Sequence, residues 1–478
     1  MSSVETISET NIVWLDKRIL LHSELVELLK TFGDLLPDPL SSRVDLSSYA
    51  EKIQEKAQIA LAYNNKKVVG FLVMYANDSV SRKAHIPIIS VLSDFQGRGI
   101  GKTLLSRAVA LARQKKMDEL WLTVDQGNHI AQHVYSELRF VKIAVENTKV
   151  VMSRNLVLNP LLLDPQVTPL ESGHTLSAML GLDIDLWIKR DDLYPIAGGG
   201  IKARKIGYII KKAIEDGHDV IVTNGGPQSN HARAAAILAA NFGIKCHLVI
   251  VLEPGQEYIN SGNILLMKLS GASIEYTTKD LLALRMDEAI SRFSQKGHKP
   301  LYIWGGGHCF QGTVAFVDAA IEAQQQCGNW KPDYLLLASG TGTTQAGLTI
   351  GYANSKTQVI GISVARDAKR GAQVIRECIE DYYFQTGRIK QELIIQFMDD
   401  WVCGGYKKHN DELFRTIEKA AKAGYFFDPT YSGKALLGLM SLVQDGRIPE
   451  RSKVLFWHTG GLMNLQAVPR FSEESFQL

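Results

Sequence analysis

Residues Ala197–Tyr208 read AGGGIKARKIGY. Gly198, Gly199 and Gly200 run straight into a segment that carries Lys202, Arg204 and Lys205 among apolar residues. A solvated basic helix start has no need of a glycine run. A lysine that works through its free amine needs a fixed position, partial desolvation and a lowered pKa. Glycines let the backbone close tightly on a flat ligand. By itself the stretch leaves both readings open, and the rest of the chain decides between them.

Three later stretches bear on the choice. Asn224–Ala236 (NGGPQSNHARAAA) is a strand–loop–helix junction with Ser229, Asn230 and His231 at its tip. Ala338–Leu348 (ASGTGTTQAGL) is a second junction, and its amides and hydroxyls suit a phosphate dianion. It is no dinucleotide fingerprint, because the third glycine of that pattern falls on Gln345. Phe427–Leu439 (FDPTYSGKALLGL) turns into a helix carrying Tyr431 and Ser432. Strands and helices alternate around these motifs, HDVIVTN before HARAAAILAANFG and YLLLASG before TTQAGLTIGYAN. That is the rhythm of a parallel, helix-covered sheet.

The first part of the chain has a different grammar. QIALAYNNKKVVGFLVMYAN reads as two strands around a tight turn, HIPIISVLS and ELWLTVD as further strands, and TKVVMSRNL as the closing strand. Between them, FQGRGIGKTLL (Phe95–Leu105) sets Gly97, Gly99 and Gly101 between a strand and a helix, an anion site for a phosphate or pyrophosphate. A nucleotide P-loop would need glycine where the chain has Gln96. VLNPLLLDPQVTPL, with its three prolines, reads as a linker. His129 and His133 have metal-ligand spacing, but no Glu follows the first, and no metal site is expected.

Bulk properties narrow the class. The chain has 478 residues, 45% of them hydrophobic and 22% charged, which implies an ordinary globular protein of two or three domains. A net charge of +3 gives no reason to expect a nucleic-acid partner. The five cysteines (246, 309, 327, 378 and 403) are scattered without any C-x-x-C pair, as expected for reduced thiols in a cytoplasm. MSSVETISET lacks the regions of a signal peptide, and no apolar run approaches a membrane span.

Two resemblances follow from these motifs. Gln96, Gly97, Arg98, Gly99 and Gly101 match the acetyl-CoA motif Q/R-x-x-G-x-G/A of the GCN5-related N-acetyltransferases (GNAT), over nearly all of residues 1–155. The resemblance implies a mixed sheet with helices, acetyl-CoA contacts at Gln96–Gly99, Gly101 and Asn128, and Tyr135 as the acid for the departing thiolate. The RF at Arg139–Phe140 stands where relatives have GF. From Thr168 to the end, the four motifs with RDDL (Arg190–Leu193) and HTGG (His458–Gly461) resemble the fold type II pyridoxal-phosphate enzymes. The nearest branch is the D-cysteine desulfhydrase and 1-aminocyclopropane-1-carboxylate deaminase family. The expected fold is α/β: a GNAT domain (1–155), a linker (156–167) and a pyridoxal-phosphate domain (168–478) with two parallel-sheet subdomains.

The second resemblance also implies roles. Lys202 binds the cofactor aldehyde and moves the substrate's Cα proton, with Lys205 as the family's second, structural lysine. Asn230 contacts the ring hydroxyl, and Gly340, Thr341, Gly342, Thr343 and Thr344 cradle the phosphate. Ser229 and His231, beside Asn230, face the substrate carboxylate. Tyr406 and Tyr431 are the two active-site tyrosines. Ser432 faces the pyridine nitrogen, where ring-opening relatives place Glu and desulfhydrases Thr. Ile201 replaces the family's Asn, and His308–Cys309 replace small polar residues. The chain is therefore expected to act on a small amino acid by β-elimination, with β-replacement as the alternative, and to transfer acetyl groups or only bind acetyl-CoA. A homodimer through the pyridoxal-phosphate domain is expected, with no nucleic-acid, membrane or metal partner.

Overall fold

A computed structural model describes residues 10–15, 20–138, 140–156, 166–253, 260–465 and 468. Arg139 and most of the expected linker, 157–165, lie outside the described residues.

Seven strands make the first sheet: β1 (Thr10–Leu15), β2 (Gln58–Asn64), β3 (Lys67–Tyr75), β4 (Lys83–Val91), β5 (Glu119–Asp125), β6 (Val141–Glu146) and β7 (Lys149–Asn155). Their order is β1-β2-β3-β4-β5-β7-β6. The expected closing strand, β7, is internal, and β6 is the edge. β6 escaped the sequence reading because it is largely solvent-exposed and buries no continuous apolar face. Helix Ile100–Gln114 covers one face through Leu104, Leu105, Ala108 and Ala112. Helices His22–Gly33 and Leu46–Lys56, also unread in the sequence, cover the other through Leu25, Leu29, Phe32 and Ile53. β4 and β5 are parallel and pair only over Lys83–Ile86 and Glu119–Leu122. Beyond that point β4 stays with β3 as far as Val91, and β5 with β7 as far as Asp125. A wedge opens between them, with the Gln96–Gly101 loop beyond the end of β4.

The rest of the chain builds two further sheets from β8 (Leu170–Ser172), β9 (Asp185–Lys189), β10 (Val220–Gly225), β11 (Lys245–Val251), β12 (Ser273–Thr277), β13 (Pro300–Ile303), β14 (Tyr334–Ser339), β15 (Gln358–Ser363), β16 (Gln396–Met398) and β17 (Lys453–Trp457). The smaller runs β12-β11-β10-β13 and the larger β16-β15-β14-β17-β9-β8. All pairings are parallel except β8 with β9. Val220, Ile221 and Val222 are buried in succession, as expected of a strand covered on both faces.

A buried ionic cluster fixes the helix that carries Lys202. Arg204 donates to Asp191 at 2.8 Å and to Glu322 at 2.8 Å. Asp191, the first carboxylate of RDDL, also accepts from Thr168 at 2.8 Å and from the Trp457 indole at 3.0 Å. Removing one partner would strand a buried charge, which typically costs about 3–5 kcal/mol.

The first sheet's unit docks on the N-terminal ends of the smaller sheet's strands. Arg154 of β7 donates to the Leu138 carbonyl at 2.7 Å and, across the junction, to the Gly243 carbonyl at 3.2 Å. Helix Ile100–Gln114 packs against helix Ile201–Glu215.

Candidate active sites

The C-terminal ends of the strands in the two parallel sheets border a cavity of about 480 Å³. The glycine run closes one wall. Gly199 has φ +75°, and a Cβ there would collide with the Asp192 carbonyl. Gly200 has φ +86°, with the Thr459 carbonyl 3.1 Å from where a Cβ would sit. Arg233 holds the loop from behind, donating to the carbonyls of Ala197 at 3.1 Å and Gly199 at 3.0 Å. Only glycine satisfies this left-handed, closely approached backbone.

Lys202 lies in that wall, its amine donating to the Gly306 carbonyl at 3.1 Å. Burial pushes its pKa down to about 8. Lys205, one turn on, is held further below its ordinary value by burial and by Lys202, and its ammonium lies over the Phe316 ring at 5.6 Å. Ile201 lines the cavity but packs into the apolar cluster with Phe316 and Trp457.

The Ser229–His231 tip lines the opposite wall. The Ser229 hydroxyl caps its helix by accepting from the Ala232 amide at 3.2 Å. The Asn230 amide oxygen accepts from Arg233 at 2.9 Å and Asn263 at 3.0 Å, so its NH₂ is the group left for a ligand. His231 reads differently from the expectation of a carboxylate contact. Thr223 gives its proton to the Ile303 carbonyl at 2.7 Å, so in its 2.8 Å bond with His231 Nε2 the imidazole is the donor. Nδ1 is then a bare acceptor, buried and without a protein partner. Burial, then Lys202 and Lys205, push the His231 pKa down to about 3 and keep the ring neutral. It offers a lone pair, which suits an N–H or O–H donor rather than a carboxylate.

Gly340, Thr341, Gly342 and Thr344 line the third wall, at the start of helix Thr343–Gly351. Thr343 is absent from the cavity lining, and its hydroxyl bonds His308 Nδ1 at 3.2 Å. His308 also faces the Thr341 carbonyl at 3.1 Å and so braces this loop from behind. Burial raises the Cys309 thiol, which leaves it a weak nucleophile. Tyr406 and Tyr431 close the mouth with their hydroxyls 2.6 Å apart. Ser432 is fully buried, donates to the Asp428 carboxylate at 2.9 Å and accepts from the Asp428 amide at 3.0 Å. Ser432 is absent from the cavity lining, and its proton is committed to Asp428, so it gives a ring nitrogen no donor. Thr459, which the sequence reading passed over inside HTGG, lines the cavity.

Residues 161–460 match the family model for pyridoxal-phosphate-dependent enzymes. The chain belongs to that family. Residues 25–140 match the acetyltransferase (GNAT) family, so the first sheet is a GNAT domain. Among curated proteins the chain is 33% identical over 305 residues to a D-cysteine desulfhydrase of Klebsiella pneumoniae (strain 342), covering 62% of this chain and 91% of that one. A second Klebsiella pneumoniae D-cysteine desulfhydrase is 32% identical over 305 residues. Among solved structures, an ACC deaminase homologue is 31% identical with a TM-score of 0.57, covering 63% of this chain and 91% of its own.

The residues present fit pyridoxal phosphate. A buried amine of lowered pKa, an orphaned acceptor on His231, a free amide NH₂ on Asn230 and a glycine–threonine loop at a helix start converge on one cavity. Lys202, Asn230 and the Gly340–Thr344 loop are the groups that would hold it. When bound, the cofactor supplies an electron sink for charge developing at the substrate's Cα.

The residues expected to contact acetyl-CoA follow β4 and β5, on either side of the wedge between them. Gly97 and Gly99 have φ +76° and +80° with open space around them, so left-handed backbone alone requires glycine there. Gly101 lies inside the helix. The Gln96 side chain donates to the Val91 carbonyl at 3.0 Å, and the Arg98 guanidinium lies over the Phe95 ring at 5.1 Å. The Asn128 carbonyl caps its helix, accepting from the Ala131 amide at 3.0 Å. Tyr135 is buried beside Phe140, its pKa pushed up to about 12 by burial. The sequence reading found no base. His85, which the sequence did not single out, stacks on Trp121 at 3.8 Å in the last paired stretch before the strands part. Burial pushes its pKa down to about 4, so it is neutral near pH 7.

Among the described residues, no cluster of metal-ligating side chains occurs and no helix is long and apolar enough to cross a membrane.

Proposed function

We propose that the pyridoxal-phosphate domain, placed at residues 168–478, catalyses β-elimination on a small amino acid of the D-cysteine type. Pyruvate, ammonia and the leaving group are the products. The observation that carries this is Lys202: a buried amine with pKa near 8 between the glycine wall and the Ser229–His231 tip. Such an amine is poised to take a proton from Cα at neutral pH. Tyr431, hydrogen-bonded to Tyr406 in the cavity lining, is assigned to the departing group. The lack of a carboxylate at Ser432 favours an unprotonated ring nitrogen; the serine proton itself is held by Asp428 and takes no part in that choice. The desulfhydrase likeness at 33% identity supports the same choice.

We further infer that the GNAT domain, placed at residues 1–155, transfers acetyl groups to an amine, with His85 as base and Tyr135 as acid. The test measures both activities on the full chain. Sulfide and pyruvate released together from D-cysteine would support elimination, and trapping of an added nucleophile without pyruvate would favour replacement. Acetyl-CoA that binds but acetylates no member of a broad amine panel would leave the first domain a binding module.

A further inference from the structure

The GNAT and pyridoxal-phosphate parts meet along a separate cavity of about 390 Å³. Small-molecule pockets span about 300–1,000 Å³ and favour domain interfaces. Lys102, Arg113 and Arg154 face this seam from one side and Lys245 from the other, against the carboxylates of Glu137 and Asp219. Both carboxylates are engaged: Glu137 with Lys102 at 2.8 Å, Asp219 with His298 Nδ1 at 2.8 Å and the Lys299 amide at 2.7 Å. The Lys245 ammonium donates to His298 Nε2 at 2.8 Å rather than to a carboxylate. Burial lowers its pKa; Asp219 opposes that shift and Lys102 across the seam adds to it. Like charges gathered in a partly desolvated crevice repel one another, and a bound anion relieves that repulsion. Val109, Ile214, Ile244 and Phe293 give the wall an apolar part, beside the polar Ser106, His218, Ser270 and Ser273.

We propose that this seam binds a small organic anion, an acidic head carried on an apolar body. The location gives the site reach. β10 starts at Val220, beside Asp219 in the seam, and ends at Gly225 in the cofactor cavity. Its six residues span about 20 Å. Helix Ile100–Gln114 faces the seam along its length and follows the acetyl-CoA loop. An occupant therefore touches one element leading to each active site. The proposal does not depend on either activity.

The experiment is calorimetry on the full-length holoenzyme saturated with acetyl-CoA, titrated in turn with phenylacetate, phenethylamine and inorganic phosphate. Phenylacetate should bind and phenethylamine should not. Binding should weaken with added salt, and by about tenfold in Lys245→Gln and in Arg113→Gln. Absence of binding, equal binding of the amine, loss of binding on acetyl-CoA saturation, or binding unchanged in both variants would overturn the proposal. Phosphate binding as tightly as phenylacetate would overturn the organic-acid class.

Discussion

Thr223 fixes the tautomer of His231. With its own proton given to Ile303, the threonine hydroxyl accepts from His231 Nε2 at 2.8 Å. Thr223→Val would leave that imidazole N–H buried without a partner, at a cost of about 1–3 kcal/mol. Thermal denaturation should show the loss. Thr223→Ser should restore most of it, because the hydroxyl, and not the methyl, carries the effect.

Protonation makes a second prediction. The folded-state pKa of His231, about 3, lies below the ordinary histidine value. Below that ordinary value the unfolded chain binds a proton that the folded chain refuses. Stability should therefore fall as pH drops from about 6.5 toward 3, by about 1.4 kcal/mol per pH unit for this group. His85, also depressed, acts in the same direction. Urea midpoints measured from pH 7 to pH 4 would test it. A His231→Asn variant that kept the full slope would remove His231 from the account.

The hydroxyl pair at the cavity mouth should act as a unit. Tyr431→Phe and Tyr406→Phe each break the same 2.6 Å bond. Their effects on kcat/KM should fall short of additive in the double variant, with a coupling of about 0.5–3 kcal/mol. Strict additivity would mean that the two tyrosines work separately.

Two glycine substitutions should separate strain from collision. Gly99→Ala meets open space at φ +80°, so it should lower the melting temperature modestly and weaken acetyl-CoA binding. Gly199→Ala adds a clash with the Asp192 backbone to a similar φ, and should abolish the visible absorption of the bound cofactor. Equal behaviour of the two would contradict the assignment of Gly199 as a close-packed position.

For the acetyltransferase, His85→Gln should lower the rate by about 100-fold, the scale of general-base assistance. Binding of acetyl-CoA, measured directly, should be unchanged. Rates from pH ~5.5 to ~8 should show no histidine inflection in the parent protein, since His85 is already neutral across that range.

Much of both sites is legible in the sequence because the chemistry is local. Gly198–Lys202, Ser229–His231 and Gly340–Thr344 each carry their own turn, cap and ligand groups within a few residues. What stayed hidden depends on distant partners. The acceptor face of His231 is set by Thr223 and by Ile303, 80 positions beyond Thr223. The Ser432 hydroxyl looks available until Asp428 is seen to hold its proton. His85 gains meaning only from Trp121 on the neighbouring strand. The expectation that Thr343 faces the phosphate failed to foresee His308, 35 residues earlier, drawing its hydroxyl away. Strand β6 went unread because it is largely exposed; the two N-terminal helices do carry a helical pattern, with Leu25, Leu29 and Phe32 buried at four- and three-residue steps.

The GNAT unit sits at the N-terminal ends of β10, β11 and β12, and the cofactor cavity opens at the opposite ends. A molecule processed by both catalysts would have to leave one and cross open solvent to reach the other. Were both domains to turn over, the fusion would work as a tether that equalises their copy number, not as a conduit. Isotope from a labelled precursor should be diluted freely by unlabelled intermediate added outside, with no lag advantage over the two halves mixed as separate chains.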